Sequence, residues 1–421
     1  MGSAQTMKGA DVVVVGGAVG GTSTALLLAE IGASVTLLER VTEPAAVGAG
    51  ILLQPNGLAV LGSLTLAEEL NASGHRMSGG VVRSASGRPI STVAVRDYGP
   101  GFGHVLALRR SRLMDVLVGA VMARPDIDVR FGAEVTSARP DGRVEVRSAA
   151  GTSSIEADLV VGADGVGSTV RAGGDFGSQV RSTGAVYLRG LVDAAAAGLE
   201  GEYWTPLGLF GGAPMGDGST YFYAAADAAP VAAAVAERDL ATFCTLWTDA
   251  LPLAAPVLGH LTSFDQLLVN EVIRVDCDRW SDGRLVLLGD AAHAMAPTLG
   301  QGANSALVDA AVLTIELAAE STGTVPRGLA RYEARRKQRV QQVQNQADRL
   351  ARLSGVGGKT KQWVRDAALR LAGRLPTTAA RLSRMAQQEN PVELYRLLSL
   401  LTATPARDAR QQGGASADGP P

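Results

Sequence analysis

The run VVVVGGAVGG, residues 12–21, constrains the fold more than any other stretch. Four consecutive valines suit a short strand buried on both faces, as in a parallel sheet. Glycines follow at 16, 17, 20 and 21, and "TSTALLLAEIG" then shows a helix pattern closed by Gly32, a glycine cap. "SVTLLE" is a second strand ending at Glu39. Strand, glycine turn, helix and strand open an α/β domain with a parallel sheet. In the G-x-G-x-x-G frame the first glycine makes the turn, the second admits a pyrophosphate, and the third packs helix on strand. Here Ala18 takes the second place, between Gly17 and Val19, with Gly20 and Gly21 closing the frame after Gly16. One methyl is tolerated there if φ stays negative. Glu39 lies 23 residues after Gly16 and precedes Arg40. A carboxylate at that point can accept both hydroxyls of an adenosine ribose and repels a 2′-phosphate. The helix start offers free N–H groups and a positive dipole end to phosphate. A glycine turn in a ligand-free α/β domain is the competing reading.

The 421 residues suffice for one large domain or two to three ordinary ones. A net charge of -2 gives no general pull toward nucleic acid or anionic membrane. Two cysteines, Cys244 and Cys277, form no CxxC pair, which argues against a metal centre and for a reducing, cytoplasmic compartment. No apolar run is long enough to span a bilayer. "MGSAQT" fits the myristoylation pattern at Gly2 and Thr6, but Met7 offers a competing start. Residues 1–8 and 402–421 read as disordered tails.

Helices are expected over 51–70 after Asn56 as N-cap, over 111–123, near 239–251, and over 305–320 and 329–352. Shorter ones are expected within 360–400, and a hairpin turns at Ser86-Gly87. The basic run "RYEARRKQRV" (331–340) reads as a solvated helix face, not a nucleic-acid platform.

Two further motifs repeat the strand-then-glycine theme. "ADLVVGADGVGSTVR" (157–171) carries Asp164 and Arg171. "GRLVLLGDAAHAMAPTLGQGANSALVDA" (283–310) sets Asp290 at the end of an apolar strand, then passes Pro297 and a glycine loop before a helix near Asn304. Gly289 lets backbone approach a ligand, and Asp290 can accept hydroxyls. Pro297 fixes one φ and removes a donor. Gly300 and Gly302 free their N–H groups to face an electron-rich edge, and the following helix start favours negative charge there. His293 reads as a packed, hydrogen-bonded neighbour of this loop. Arg110 stands just before the 111–123 helix.

The order of these motifs resembles the single-component FAD-dependent aromatic hydroxylases of the para-hydroxybenzoate and salicylate hydroxylase type, over most of residues 10–345. The resemblance implies a Rossmann-like FAD-binding domain of the glutathione-reductase type, built from 9–75, 100–175 and 270–345. It implies an inserted, mostly antiparallel substrate domain at 76–99 and 176–269, and a helical C-terminal segment at 346–401. It also implies non-covalent FAD, NADPH or NADH as transient co-substrate, O2, and a small aromatic substrate, phenolic or polyketide-like. Carried over residue by residue, Glu39 would bind the adenosine ribose and Arg110 would lie by the pyrophosphate and ribityl chain. Asp164 would serve FAD and the nicotinamide donor, and Asp290 would take the ribityl hydroxyls. Gly300 and Gly302, with Gln301 and Ala303, would lie against the flavin pyrimidine. The family's chemistry reduces FAD, adds O2 at flavin C4a, and delivers one oxygen of that hydroperoxide to the ring.

Substrate candidates are Tyr187, Arg189, Tyr221 and Tyr223, with Tyr203, Trp204 and Phe222 as further lining. A tyrosine or arginine there can hold a phenolate or carboxylate. None is fixed as a catalytic base, and His75 and His104 read as structural. Few cations in this segment favour a neutral, extended substrate over a small dianion. The chain is compatible with a homodimer. Alternatives are an epoxidase or Baeyer–Villiger-type oxygenase, a flavin reductase or dehydrogenase, and a flavin-binding sensor without turnover.

Overall fold

The computed structural model describes residues 7–43, 50–95, 98, 101–196, 198–320, 325–355, 357–373 and 386–402. The Gly2 pattern and nearly all of both expected tails lie outside the described residues.

The valine run forms the strand Asp11–Val15 at the heart of a six-stranded sheet. Its order is Ser281–Asp282, Leu285–Leu287, Leu159–Gly162, Asp11–Val15, Ser34–Glu39 and Ile127–Phe131. All pairings are parallel except the short first one. Buried helices Val19–Glu30 and Gly302–Ala318 account for the near-continuous apolar strands. A three-stranded antiparallel sheet spans residues 134–156.

A second large sheet has seven strands, ordered Leu268–Asp276, Gln179–Val192, Thr220–Ala225, Gly208–Pro214, Gly201–Thr205, Gly79–Ser84 and Pro89–Ala94. Only the Gly201–Thr205/Gly79–Ser84 pair is parallel. Period-two alternation gives this sheet two unlike faces. One face carries Leu188, Tyr203, Phe210, Phe222 and Ala224 and packs on helices such as Leu240–Ala250 through Phe243 and Trp247. The other carries Tyr187, Trp204, Leu209 and Ala225. It packs with Ala296 and Leu299 of the Asp290 loop and with Ala347, Leu350 and Leu369 of the C-terminal helices.

Several boundaries depart from the sequence reading. Asn56 does not cap a helix: a strand, Gly50–Leu53, precedes the helix Pro55–Ser63, whose N-cap is Gln54. Pro55 suits the first turn because its missing N–H needs no partner there. Asn56 is instead wholly buried inside that helix. The helix near Asn304 begins two residues earlier, at Gly302. The C-terminal helices are Val325–Ser354, Lys359–Gly373 and Pro391–Thr402, and residues 374–385 of the expected helical stretch lie outside the described residues. The basic run is not simply solvated. Tyr332, Arg336 and Val340 recur every four residues and are fully buried.

Candidate active site

Sheet order brings the three motifs together. The strands before Gly16, Asp164 and Asp290 are adjacent and parallel, with Val15 level with Gly162 and Gly162 level with Leu287. Ligands of open α/β sheets bind beyond such carboxyl ends.

The first turn is sterically closed to side chains. Gly16 has φ +103, and a Cβ there would lie 2.4 Å from the Ala163 carbonyl oxygen. A Cβ on Gly21 would lie 1.8 Å from the Gly16 carbonyl oxygen, and one on Gly20 would press on Leu288 and Ala306. Ala18 sits at φ -82, so its methyl costs no backbone strain. No side chain caps the helix that starts at Val19. Glu39 accepts the Gly17 N–H at 2.6 Å and the Val41 N–H at 3.0 Å, which holds the turn against the end of the second strand. Arg40 is exposed.

Asp164 plays two parts. Its Oδ2 accepts the Thr169 and Val170 N–H groups at the start of the short helix Thr169–Ala172, whose N-cap is Ser168. Its Oδ1 is buried with no partner among the described residues. Arg171 donates to the Ala291 carbonyl at 2.7 Å and so ties the second motif to the third.

In the third motif Gly289 turns at φ 58 and Asp290 opens the helix Asp290–His293 with its side chain exposed. Pro297 is exposed in a 3-10 turn, Pro297–Leu299, and Gly300 closes it in the left-handed region at φ 60. A Cβ on Gly302 would meet open space, and the helix that begins there has no side-chain cap. Ala303 is partly buried beside it, and Gln301 is fully buried.

Beneath this loop lies a charged cluster that sequence reasoning missed. Asp309 accepts His293 Nε2 at 2.5 Å, the Gly289 N–H at 3.0 Å and Arg336 Nε at 2.7 Å. All three side chains are buried. Burial works to raise the Asp309 pKa, but His293 and Arg336 outweigh it and hold the group at about 2. His293 is therefore a packed neighbour of the loop, as its sequence position suggests. The four-residue spacing of Tyr332, Arg336 and Val340 was the available signal.

Facing the loop is the second sheet. Arg189 lies beside Tyr221 and works against the burial that raises the Tyr221 pKa, Arg189 Nη2 donates to Asn270 at 2.8 Å, and Arg189 Nε is buried without a partner among the described residues. The Tyr221 and Tyr223 rings are 5.8 Å apart. Tyr221 abuts Gly50, where a Cβ would lie 2.4 Å from the ring. Arg110 joins the two sides. Desolvation, then the cation of Arg189, lower its pKa, while Asp290 and Tyr221 act in the opposite sense. Next to it, Arg109 pairs with Asp193 and Asp217 and locks the first domain's edge to the second sheet.

Tyr203 and Phe222 do not line this face. Phe222 stacks on Phe210 at 5.7 Å, and Tyr203 donates to the Gly198 carbonyl, both on the opposite side of the sheet. Each alternates out of phase with Trp204 or Tyr223. His104 is hydrogen-bonded to Asn71, and His75 lies 3.9 Å from Glu200; both are peripheral.

A second missed group is Glu202. It accepts the Trp204 indole N–H at 2.5 Å and lies beside the Tyr223 phenol. Desolvation pushes it up to about 7, against the pull of those two donors. Burial also raises Tyr187 and Tyr223, with Glu202 adding to both. Gly211 makes the Tyr223 contact possible, because a Cβ there would sit 2.1 Å from the Tyr223 ring. A lone glutamate in a strand carries no sequence signal of this kind.

Residues 9–347 match a family model described as FAD binding domain. The chain is 32% identical over 371 residues to an aurachin C monooxygenase/isomerase of Stigmatella aurantiaca, covering 86% of this chain and 94% of that one. It is 33% identical over 392 residues to a 3-amino-4-hydroxybenzoate 2-monooxygenase of Streptomyces platensis, covering 86% and 93%. The solved tetrameric form of 2-methyl-3-hydroxypyridine-5-carboxylic acid oxygenase superposes with a TM-score of 0.73 at 26% identity, over 91% of this chain and 97% of that one.

The chain belongs to the FAD-dependent aromatic hydroxylases. Its cofactor is FAD, and the residues at the sheet edge suit that cofactor physically. The glycine turn leaves N–H groups free for phosphate, the orphaned Asp164 Oδ1 needs a donor, and the backbone at Gly302 is open to approach. Among the described residues of this hydroxylase, no helix is long and apolar enough to cross a membrane, and no group of three His, Cys, Asp or Glu side chains can hold a metal.

Proposed function

We propose that this hydroxylase uses NADPH or NADH and O2 to place one oxygen on an aromatic ring held between the Asp290 loop and the second sheet. One observation carries the reading. Ala296 and Leu299 of the Asp290 loop pack with Tyr187, Trp204 and Leu209 of the second sheet, so the loop and the sheet face each other, and Arg110 lies within electrostatic reach of both Asp290 and Arg189. When bound, FAD supplies the electron transfer and oxygen activation that no protein side chain provides.

The chain's own residues bind, orient and exclude water. Ala18, Val19, Gly20 and Gly21 present N–H groups to the diphosphate, Gly16 makes the turn with its own N–H tied to the Leu38 carbonyl, and Glu39 takes the adenosine ribose, with Arg40 beside it. Arg110 neutralises phosphate charge, and Asp164 and Asp290 accept hydroxyls of the sugar chain. Gly300, Gln301, Gly302 and Ala303 line the ring's electron-rich edge, where the dipole of the Gly302–Ala318 helix stabilises negative charge. Pro297 shapes the wall between this edge and the cleft. Residues 76–99 and 176–269 serve as the substrate-binding domain.

Arg189 is assigned to the substrate. Its buried, unpartnered Nε and the Tyr221 hydroxyl suit a single phenolate or keto oxygen. The apolar wall of Leu209, Val272, Ala296 and Leu299 suits the remaining body of the molecule. Tyr187 and Tyr223 flank that wall. One anionic oxygen on an apolar body fits this surface better than a dianion.

Anaerobic stopped-flow reduction by NADH and NADPH, with and without a panel of phenols, tests the proposal. Reduction accelerated many-fold by one aromatic class supports it. Fast reduction without any aromatic points to a reductase or dehydrogenase. Product analysis separates ring hydroxylation from epoxidation or Baeyer–Villiger insertion. A cytoplasmic homodimer is the proposed working form; the two free cysteines support a reducing compartment, and fractionation and light scattering test compartment and assembly.

A further inference from the structure

Behind the glycine loop the chain's C-terminal part enters the interior. Gln387 and Gln388 are both buried, and Gln388 holds φ +63, a left-handed conformation rare for a residue with a side chain. Such strain persists only where the surroundings over-determine it. Here they do. Gln388 Nε2 donates to Gln301 Oε1 at 3.1 Å and to Ser305 Oγ at 2.7 Å, while its Oε1 accepts Arg336 Nη2 at 2.5 Å. Its carbonyl accepts Arg339 at 3.0 Å. Gln387 accepts from Asn56 twice, and Asn56 Nδ2 also donates to Gln301 Oε1 at 3.2 Å.

Gln301 is therefore gripped from two sides. Its amide oxygen takes donors from the C-terminal stretch and from the helix Pro55–Ser63. Its amide nitrogen is buried with no partner among the described residues. Two donors on the oxygen fix which way the amide faces. Gln301 also sits directly before Gly302, where the backbone borders open space.

We propose that Gln388 is a positioning residue for the flavin-facing loop. By orienting the Gln301 amide it sets the affinity and the redox potential of bound FAD. The proposal rests on the flavin reading of this loop.

The informative variant is Gln388→Gly in the full-length chain. Glycine adopts φ +63 freely, so the variant removes the amide without adding backbone strain. Gln388→Asn keeps an amide on a residue that also tolerates this conformation. Both proteins are stripped of flavin and titrated with FAD, and the midpoint potential of the reloaded flavin and the thermal midpoint of the stripped protein are measured. The expected result for Gln388→Gly is FAD binding weakened about tenfold and a shifted potential, beside a lower thermal midpoint because Arg336, Gln301 and Ser305 lose a buried partner, with affinity and potential partly recovered in Gln388→Asn. Wild-type FAD affinity and potential in Gln388→Gly would overturn the proposal and leave the flavin reading intact. A thermal midpoint that falls in both variants while the potential stays put makes Gln388 merely structural, which also overturns it. A wild-type chain that takes up no FAD defeats the flavin reading itself, and the proposal with it.

Discussion

Two desolvated carboxylates, one beneath the Asp290 loop and one in the facing sheet, end with pKa values shifted in opposite directions. Asp309, under the Asp290 loop, is held at about 2, while Glu202, in the facing sheet, is pushed up to about 7. Both feel desolvation, which favours the neutral acid. Asp309 offsets it with Arg336, His293 and a backbone N–H. Glu202 has only an indole and a phenol, neutral donors that do not match the cost. The loop side is therefore built as a rigid charged frame. The sheet side keeps a carboxyl that can change its proton near neutral pH.

The largest break in that contrast comes from Asp309→Ala. It leaves Arg336 buried without its carboxylate and the Gly289 N–H without an acceptor. We expect a loss of about 3–5 kcal/mol, read from urea unfolding midpoints. A loss under about 1 kcal/mol would show that the frame is not essential.

Gly21→Ala tests the other support of the loop side, which is steric. Its Cβ would meet the Gly16 carbonyl oxygen at 1.8 Å, so the turn must open. Stability should fall by about 1–3 kcal/mol, and the purified protein should carry almost no flavin. Ala18→Gly is the control and should leave FAD binding within about twofold. If Gly21→Ala purifies with a full flavin complement, the steric argument fails.

Asp290→Ala separates binding from folding. The carboxylate is exposed, so unfolding of the flavin-free protein should not change. FAD affinity should drop by about 1.5–3 kcal/mol, roughly 10- to 100-fold. An unaltered dissociation constant would remove Asp290 from the cofactor site.

The smallest effect sharpens the comparison through pH. Glu202 has its folded pKa raised, so its contribution to stability is full below its unfolded value and is lost as pH rises through about 7. Asp309 has the opposite sign, contributing above its unfolded value and failing as pH falls toward about 2. Glu202→Gln should thus stabilise the protein by about 1–3 kcal/mol at about pH 8 and by little at about pH 4. A difference that stays flat across that range would refute the shift.

Local chemistry makes the dinucleotide turn legible in residue order alone. The constraint at Gly16 and Gly21 is a clash between atoms a few residues or one strand apart, so it leaves its mark as residue type at fixed spacing. The same holds for the left-handed turns at Gly87 and Gly300 and for Asp239, which caps the helix Leu240–Ala250. Alternation likewise places Tyr221 and Tyr223 on one face, and by the same rule it excludes Tyr203 and Phe222 from that face.

By itself, then, the sequence determined the parallel α/β core, the glycine turn and the carboxylates at strand ends, because backbone geometry there admits few residue types. Tertiary structure alone decided which distant polar groups meet. Arg336 reads as one arginine in a solvated run until helix packing sets it against Asp309, 27 residues away. Gln388 reads as an unremarked polar residue until it reaches Gln301, 87 residues away. Glu202 becomes special only because Gly211 lets Tyr223 lie across to it. The value of a charge or an amide depends on its partners and its distance from water, and folding chooses both.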